Sequence, residues 1–204
     1  MIRDKSTLDR ILESATVLFL ERGYEGVGLR EIAARSDVTT GAFYRHFKGK
    51  RELFSSLVGE VYDTLIEIYR STLSSFFLLP ASEQLSSMHD HTIEASDRMI
   101  RYMYQHMTET RLILCCSQGT EYSDRAKTLA TMDETATADF TTGSINAGIN
   151  VNIVHRDLEV LLTEGMFSAV LELVKKEMPI DEMLQCAHSL IDFYEAGWSK
   201  LMGL

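Results

Sequence analysis

The sequence predicts an all-α chain of about nine helices: an N-terminal unit of three helices in a helix-turn-helix arrangement, then a larger helical domain. Three observations carry this. Only Pro80 and Pro179 interrupt a chain rich in Leu, Ala, Glu, Met and Arg, residues that favour helices. Apolar side chains recur at three- and four-residue spacing along most of its length. No strand-hairpin signal is present beyond the brief Ile149–Val154 run, which reads as loop.

The first helix is expected from about Thr7 to Arg22, capped by Ser6 or Thr7. Leu8, Leu12, Ala15 and Phe19 give it one apolar face, with Ile11 and Leu18 beside them, and Gly23 ends it. A second helix runs from about Leu29 to Ser36, with Ile32 and Ala33 inward. Asp37-Val38 makes a short turn, and Thr39 caps a third helix from Thr40 to Phe47. Two short helices joined by so short a turn form the helix-turn-helix pattern. Lys48-Gly49-Lys50 separates this unit from a fourth helix, from near Arg51 to about Phe76. This gives two domains, 1–50 and 51–204.

In the second domain Pro80 marks a break. Along 83–107, Leu85, Met88, Thr92, Ala95, Met99, Tyr102 and His106 form a stripe at helical spacing. Further helices fit about 109–117 and 121–142, and Gly143–Asn152 is a loop. Asp157 opens a helix that Pro179 stops, and the last helix starts at Asp181 or Glu182 and ends near Met202.

Hydrophobic residues make up 45% and charged residues 25%, a balance that excludes disorder. No apolar run approaches the ~18 residues of a membrane span, and Met1-Ile2-Arg3-Asp4-Lys5 lacks a signal-peptide core. A cytoplasmic protein is therefore expected, with no membrane partner. Cys115, Cys116 and Cys186 are too few and too badly spaced for a disulfide scaffold or a zinc knuckle and read as small buried thiols; a redox switch at Cys115-Cys116 would close a strained ring. His89 and His91 point about 200° apart on a helix and cannot share a metal. No nucleophile–base motif, Gly-rich phosphate loop or HExxH occurs. No catalytic site, metal or cofactor is expected.

The net charge is −10, but it is unevenly spread. Residues 1–60 hold ten Lys/Arg and nine Asp/Glu, whereas 61–204 hold ten and twenty-one. Arg45, His46, Lys48, Lys50 and Arg51 cluster within the first part. Phosphate neutralisation is a contact-level effect, so a local basic patch on an acidic protein suffices to bind nucleic acid.

The run Phe19-Leu20-Glu21-Arg22-Gly23-Tyr24-Glu25-Gly26, then Leu29-Arg30-Glu31-Ile32-Ala33, then Val38 through Phe54 (VTTGAFYRHFKGKRELF) closely resembles the TetR-type DNA-binding domain over about residues 7–54. Physical chemistry agrees with the resemblance. Gly41 inside a short helix costs ~0.5–1 kcal/mol relative to Ala, which close approach of a phosphate or base edge would justify. Thr39 and Thr40 stand where free N–H groups favour a phosphate. Tyr44, Arg45 and His46 add a hydroxyl and cations, and Lys48 lies just beyond. The resemblance implies that Thr40, Gly41, Ala42, Tyr44 and His46 approach double-stranded DNA and that Lys50 meets a phosphate; Phe43 and Phe47, as apolar residues, read as core. Three departures from the family pattern stand out: Asp37 where the turn commonly has Gly, Thr40 where Lys is frequent, and Gly28 in place of a Ser/Thr cap.

One recognition helix reads few bases, so a homodimer on a palindromic operator is expected. The last helix offers a seam of Leu184, Ala187, Ile191, Tyr194, Trp198 and Leu201. The helix before it, apolar nearly all round, offers Leu158, Leu162, Gly165, Met166 and Ala169. The resemblance implies that these two helices from each subunit form the interface. For a ligand pocket the candidates are Met88, Thr92, Met99, Tyr102, Met103 and His106 from the stripe, because methionine adapts to varied ligands and a pure core would omit the polar members. Cys115, Tyr122 and Phe140 are expected to complete the walls. The function expected is a dimeric repressor released from its operator by an unidentified small-molecule effector. The alternatives are a DNA-binding regulator without an effector and, remotely, a ligand-binding enzyme.

Overall fold

The computed structural model describes Ser6–Leu204; the signal-peptide reading of Met1–Lys5 concerns residues outside that range. The described residues form nine helices and no strand: α1 Thr7–Arg22, α2 Leu29–Arg35, α3 Thr40–Phe43, α4 Lys50–Phe77, α5 Ala81–Gln105, α6 Met107–Cys116, α7 Arg125–Asn146, α8 Arg156–Lys175 and α9 Ile180–Met202. No helix among them is long and apolar enough to cross a membrane.

Two compact units result. The first comprises residues up to Thr64 together with His106–Ser123, and the second Leu65–Gln105 together with Asp124–Leu204. This division differs from a boundary at 50/51, and the first unit's core supplies the reason. Three short helices bury too little surface to stand alone. Phe19 of α1 packs edge-on against Phe54 of α4, with ring centroids 5.2 Å apart. Tyr24 meets the same ring at 5.3 Å, and Tyr122, from the segment after α6, joins Phe54 and Tyr62. The Tyr24 N–H also donates to the Cys116 carbonyl at 2.8 Å. The start of α4 and the whole of α6 thus complete this core.

Local chemistry fixes α1 and α2. Ser6 and Asp9 form a reciprocal capping box, satisfying N–H groups that a helix start leaves without partners. Gly23, at φ 70°, ends α1, and Arg22 pairs with Glu31 of α2 at 2.5 Å. Gly28 caps α2 without a side-chain hydrogen bond.

In the second unit α5, α7, α8 and α9 pack on one another, and the C-terminal part of α4 joins them through the Tyr69–Phe167 and Phe76–Phe140 ring contacts. His188 of α9 bonds Asp97 of α5 at 2.6 Å. The loop after α7 is tied down where the Asn152 N–H donates to the Met202 carbonyl at 2.7 Å.

The faces of α8 and α9 require a correction to the expected interface. Leu184, Ala187 and Ile191 are buried within the unit, and Met166, Ile191, Tyr194 and Trp198 line an internal cavity. Leu184, Ala187 and Ile191 thus belong to the core of the unit, while Met166, Tyr194 and Trp198 are half-buried at the cavity wall. Both helices carry apolar side chains on two faces, so spacing alone could not say which seam is internal. Of the residues expected at the interface, Leu158 and Leu201 are exposed, while Leu162, Gly165 and Ala169 are half-buried. The strongly exposed apolar residues of these helices are Leu161 (67%) and Phe193 (72%). The cysteines are also corrected: only Cys116 is buried, and Cys115 and Cys186 are exposed.

Candidate nucleic-acid interface and ligand cavity

The turn between α2 and α3 is built by Asp37, which takes φ 53°. Asp enters this left-handed region more readily than most residues. The Val38 N–H then donates to the Ala33 carbonyl at 3.0 Å. Thr39 caps α3, its hydroxyl accepting from the Ala42 N–H at 3.1 Å. The α-helix proper covers only Thr40–Phe43, shorter than the Thr40–Phe47 expected. Turn hydrogen bonds from His46 and Phe47 back to the Phe43 carbonyl nonetheless continue the winding. Phe43 and Phe47 are buried and hold the element to the body.

The outward side of this element is what the sequence singled out. Thr39, Thr40, Gly41, Tyr44, Arg45, His46 and Lys48 are exposed, and Ala42 is half-buried. Tyr44 keeps 53% of its surface exposed, large for an aromatic ring in a folded unit. A Cβ placed on Gly41 would meet nothing closer than the Thr39 hydroxyl at 3.9 Å. Internal packing therefore does not call for glycine there. Arg45 and Lys48 have no acidic side-chain partner among the described residues, so their charge is available to a polyanion.

Lys50 stands apart from that group. Its Nζ donates to the carbonyls of Tyr24 (2.7 Å) and Val27 (2.9 Å) and sits 4.2 Å from the Tyr24 ring centroid. Burial lowers its pKa, with the Glu25 carboxylate opposing. Two of its three N–H groups thus tie the α1–α2 turn to the start of α4. Its first role is structural, which spacing from the recognition element did not reveal.

The second unit holds a partly open cavity of about 210 Å³. Five residues expected in the pocket line it: Met88, Thr92, Met99 and Met103 of α5 and Phe140 of α7. Four others do not. Tyr102 is half-buried on α5 but is not part of the wall. His106 lies beyond the end of α5, as the N-cap of α6 at φ −117°, so the helical stripe stops short of it. Cys115 and Tyr122 belong to the first unit, Cys115 exposed on α6 and Tyr122 in the aromatic core.

The sequence reading missed several walls: Tyr69 and Phe76 of α4, Asp133 of α7, Phe167 of α8, and Tyr194 and Trp198 of α9. The Tyr69 hydroxyl donates to Asp133 Oδ1 at 2.5 Å. Burial pushes the Asp133 carboxyl up. The Tyr69 hydroxyl pulls against that, as does the Thr163 hydroxyl, although it lacks hydrogen-bond geometry of its own. Burial and the nearby carboxylate together push the Tyr69 phenol far up, so it remains a donor. Asp133 left a signal in the sequence: with Leu129, Ala136 and Phe140 it shares one helical face, a lone charge on an apolar stripe.

Comparison with known proteins bears on the N-terminal element first. Residues 11–57 match the family described as bacterial regulatory proteins, tetR family. The TetC protein of transposon Tn10 from Escherichia coli is 48% identical over 52 residues, 26% of each chain. The probable HTH-type transcriptional regulator YttP of Bacillus subtilis is 32% identical over 111 residues, 50% of this chain and 51% of its own. Such matches span between a quarter and a half of the curated relatives' length. Solved structures extend the likeness of fold. SCO3833 of Streptomyces coelicolor A3, a member of the TetR transcriptional regulator family, superposes with a TM-score of 0.59 at 19% identity, covering 89% of this chain and 88% of that one. The regulator FadR of Bacillus subtilis, in complex with stearoyl-CoA, superposes with a TM-score of 0.54 at 13% identity, covering 91% and 96%.

Proposed function

We propose that the chain, whose residues 11–57 match the family of bacterial regulatory proteins, tetR family, is a TetR-type, sequence-specific DNA-binding repressor. It acts as a homodimer and leaves its operator when a small molecule enters the cavity of the second unit. The observation that carries the DNA-binding reading is the exposed surface of the α3 element. There an aromatic hydroxyl, two cations without an acidic partner among the described residues and a helical glycine free of packing demands face solvent beside a buried Phe43–Phe47 anchor. In this reading residues 1–50 supply the DNA contact and 51–204 the ligand site and the dimer surface.

Thr40, Gly41, Ala42, Tyr44 and His46 approach the base edges, while Arg45 and Lys48 neutralise phosphates. The dimer forms through the outward faces of α8 and α9, where Leu158, Leu161, Phe193 and Leu201 are exposed. Two half-sites then lie about one helical turn apart or a multiple of it. The ligand reading is supported by the partly open, mostly apolar cavity. Binding there lowers DNA affinity by a coupling energy of typically 1–3 kcal/mol.

The test is a fluorescence-anisotropy titration of a labelled duplex from the region upstream of the protein's own gene, at several salt concentrations. Arg45→Ala and Lys48→Ala should each weaken binding and reduce the salt slope by about 1. Unchanged affinity and slope in both variants would remove the α3 surface from the interface.

A further inference from the structure

The cavity's wall has a marked charge asymmetry. It contains two carboxylates, Asp133 and Glu195, and neither lysine nor arginine. The two carboxylates are not equivalent. Glu195 accepts from His89 Nδ1 at 2.5 Å, so a basic side chain already answers it. Asp133 has the Tyr69 hydroxyl on Oδ1, a neutral donor, and no cation pairs with it among the described residues. Its second oxygen remains an acceptor.

Further acceptors and π-faces surround it. The Ser96 hydroxyl oxygen is buried in the wall without a hydrogen-bond partner. His91 Nδ1 lies 3.0 Å from the Ser87 carbonyl, which assigns the ring proton there and leaves Nε2 as an acceptor in the neutral imidazole. Tyr69, Phe76, Phe140, Phe167, Tyr194 and Trp198 present aromatic surface, which attracts cations as well as apolar groups. An anionic head group would meet the Asp133 carboxyl, which no cation offsets among the described residues. A neutral ligand would leave Asp133 with neutral donors alone, the Tyr69 hydroxyl first, in an apolar wall where burial already works against its ionised form.

We propose that the cavity receives an amphipathic organic cation, an aromatic or alkyl body bearing a protonated amine that donates to Asp133. The inference rests on the reading of this cavity as the effector site and adds the chemical class of the effector. The volume of about 210 Å³ exceeds the ~150 Å³ that encloses benzene in an engineered apolar cavity. An aryl-alkyl amine is thus the right order of size.

Trp198 is the chain's single tryptophan and lines the cavity, so its fluorescence reports occupancy in the full-length protein. The probes are 4-phenylbutylamine, its neutral counterpart 4-phenyl-1-butanol, and the anion 3-phenylpropanoate, titrated at neutral pH. The amine should bind about tenfold or more tighter than the alcohol, the value of one charge-assisted hydrogen bond, and the carboxylate should bind weakest. Asp133→Asn, which keeps the shape and an acceptor for Tyr69, should bring the amine to the alcohol's affinity while leaving the alcohol nearly unchanged. Alcohol or carboxylate binding as tight as the amine overturns the proposal, as does an amine preference that survives in Asp133→Asn. If that variant does not fold, the three-probe series on the wild-type protein decides alone. Failure of every probe to perturb Trp198 would remove the ligand cavity itself, a different failure from a reversed charge preference.

Discussion

Replacing Lys50 with methionine keeps an unbranched apolar stem and deletes the ammonium. In the folded protein that ammonium donates to the Tyr24 and Val27 carbonyls and faces the Tyr24 ring. Hydrogen bonds to a charged donor contribute about 1.5–3 kcal/mol each when buried. Lys50 is only half-buried, so about 1 kcal/mol for each is the appropriate scale once solvent screening is counted. The cation–π contact adds about 0.5–1 kcal/mol at a site this exposed. The loss is then about 2–3 kcal/mol. At roughly 2–4 °C per kcal/mol for a chain of this size, Tm should fall by about 4–12 °C. Thermal melts followed by far-UV circular dichroism, with Lys50→Arg and Lys48→Met alongside, measure it. Lys48→Met should leave Tm unchanged, because the exposed Lys48 side chain ties no element of the fold. A Tm for Lys50→Met within about 1 °C of wild type would refute the structural role and return Lys50 to a purely phosphate-directed one.

Three further outcomes follow from the same geometry. Gly41→Ala should raise stability by about 0.5–1 kcal/mol in denaturant melts, because the position is helical and open, yet weaken DNA binding measured by anisotropy; unchanged binding would mean that no DNA atom comes close to it. Phe193→Glu combined with Leu161→Glu should shift the protein to monomer in sedimentation at micromolar concentration, because both side chains are mostly exposed in the protomer; a surviving dimer would place the interface elsewhere. The Glu195 hydrogen bond raises the His89 pKa, so this pair stabilises fully below the ordinary histidine value and its contribution fades as pH rises through the raised one. The site is exposed, so the difference between wild type and His89→Ala should stay under about 1 kcal/mol and shrink toward alkaline pH; a difference that grows with pH would contradict the pairing.

How far the sequence carried the fold is clearest where local chemistry decides. The Ser6 cap and Gly23 stop bound α1 at the expected residues, and Asp37 takes the left-handed turn its side chain tolerates. The exposed and buried sides of the α3 element were legible as well, because Phe43 and Phe47 at four-residue spacing define the inner side. Legibility failed where two apolar faces compete. On α9, Leu184, Ala187 and Ile191 looked like a partner seam and prove to be core, while the single Phe193 marks the outer side. The cavity was half visible for the same reason. The α5 stripe located its methionines, but the helix ends before His106, and walls from α4 and α9 could be assigned only once tertiary packing brought them together. Lys50 illustrates a further limit, because a side chain that reaches back 26 and 23 residues has no local signature.

The central claim is sequence-specific DNA recognition by the α3 element, and selection from a random-sequence duplex library by the full-length protein tests it most directly. The account predicts enrichment of a palindrome whose half-sites lie about one helical turn apart or a multiple of it, with enrichment lost in Tyr44→Ala, whose exposed ring is not required by the core. A pool that stays random after selection, or a Tyr44→Ala protein that enriches the same palindrome equally well, would contradict it.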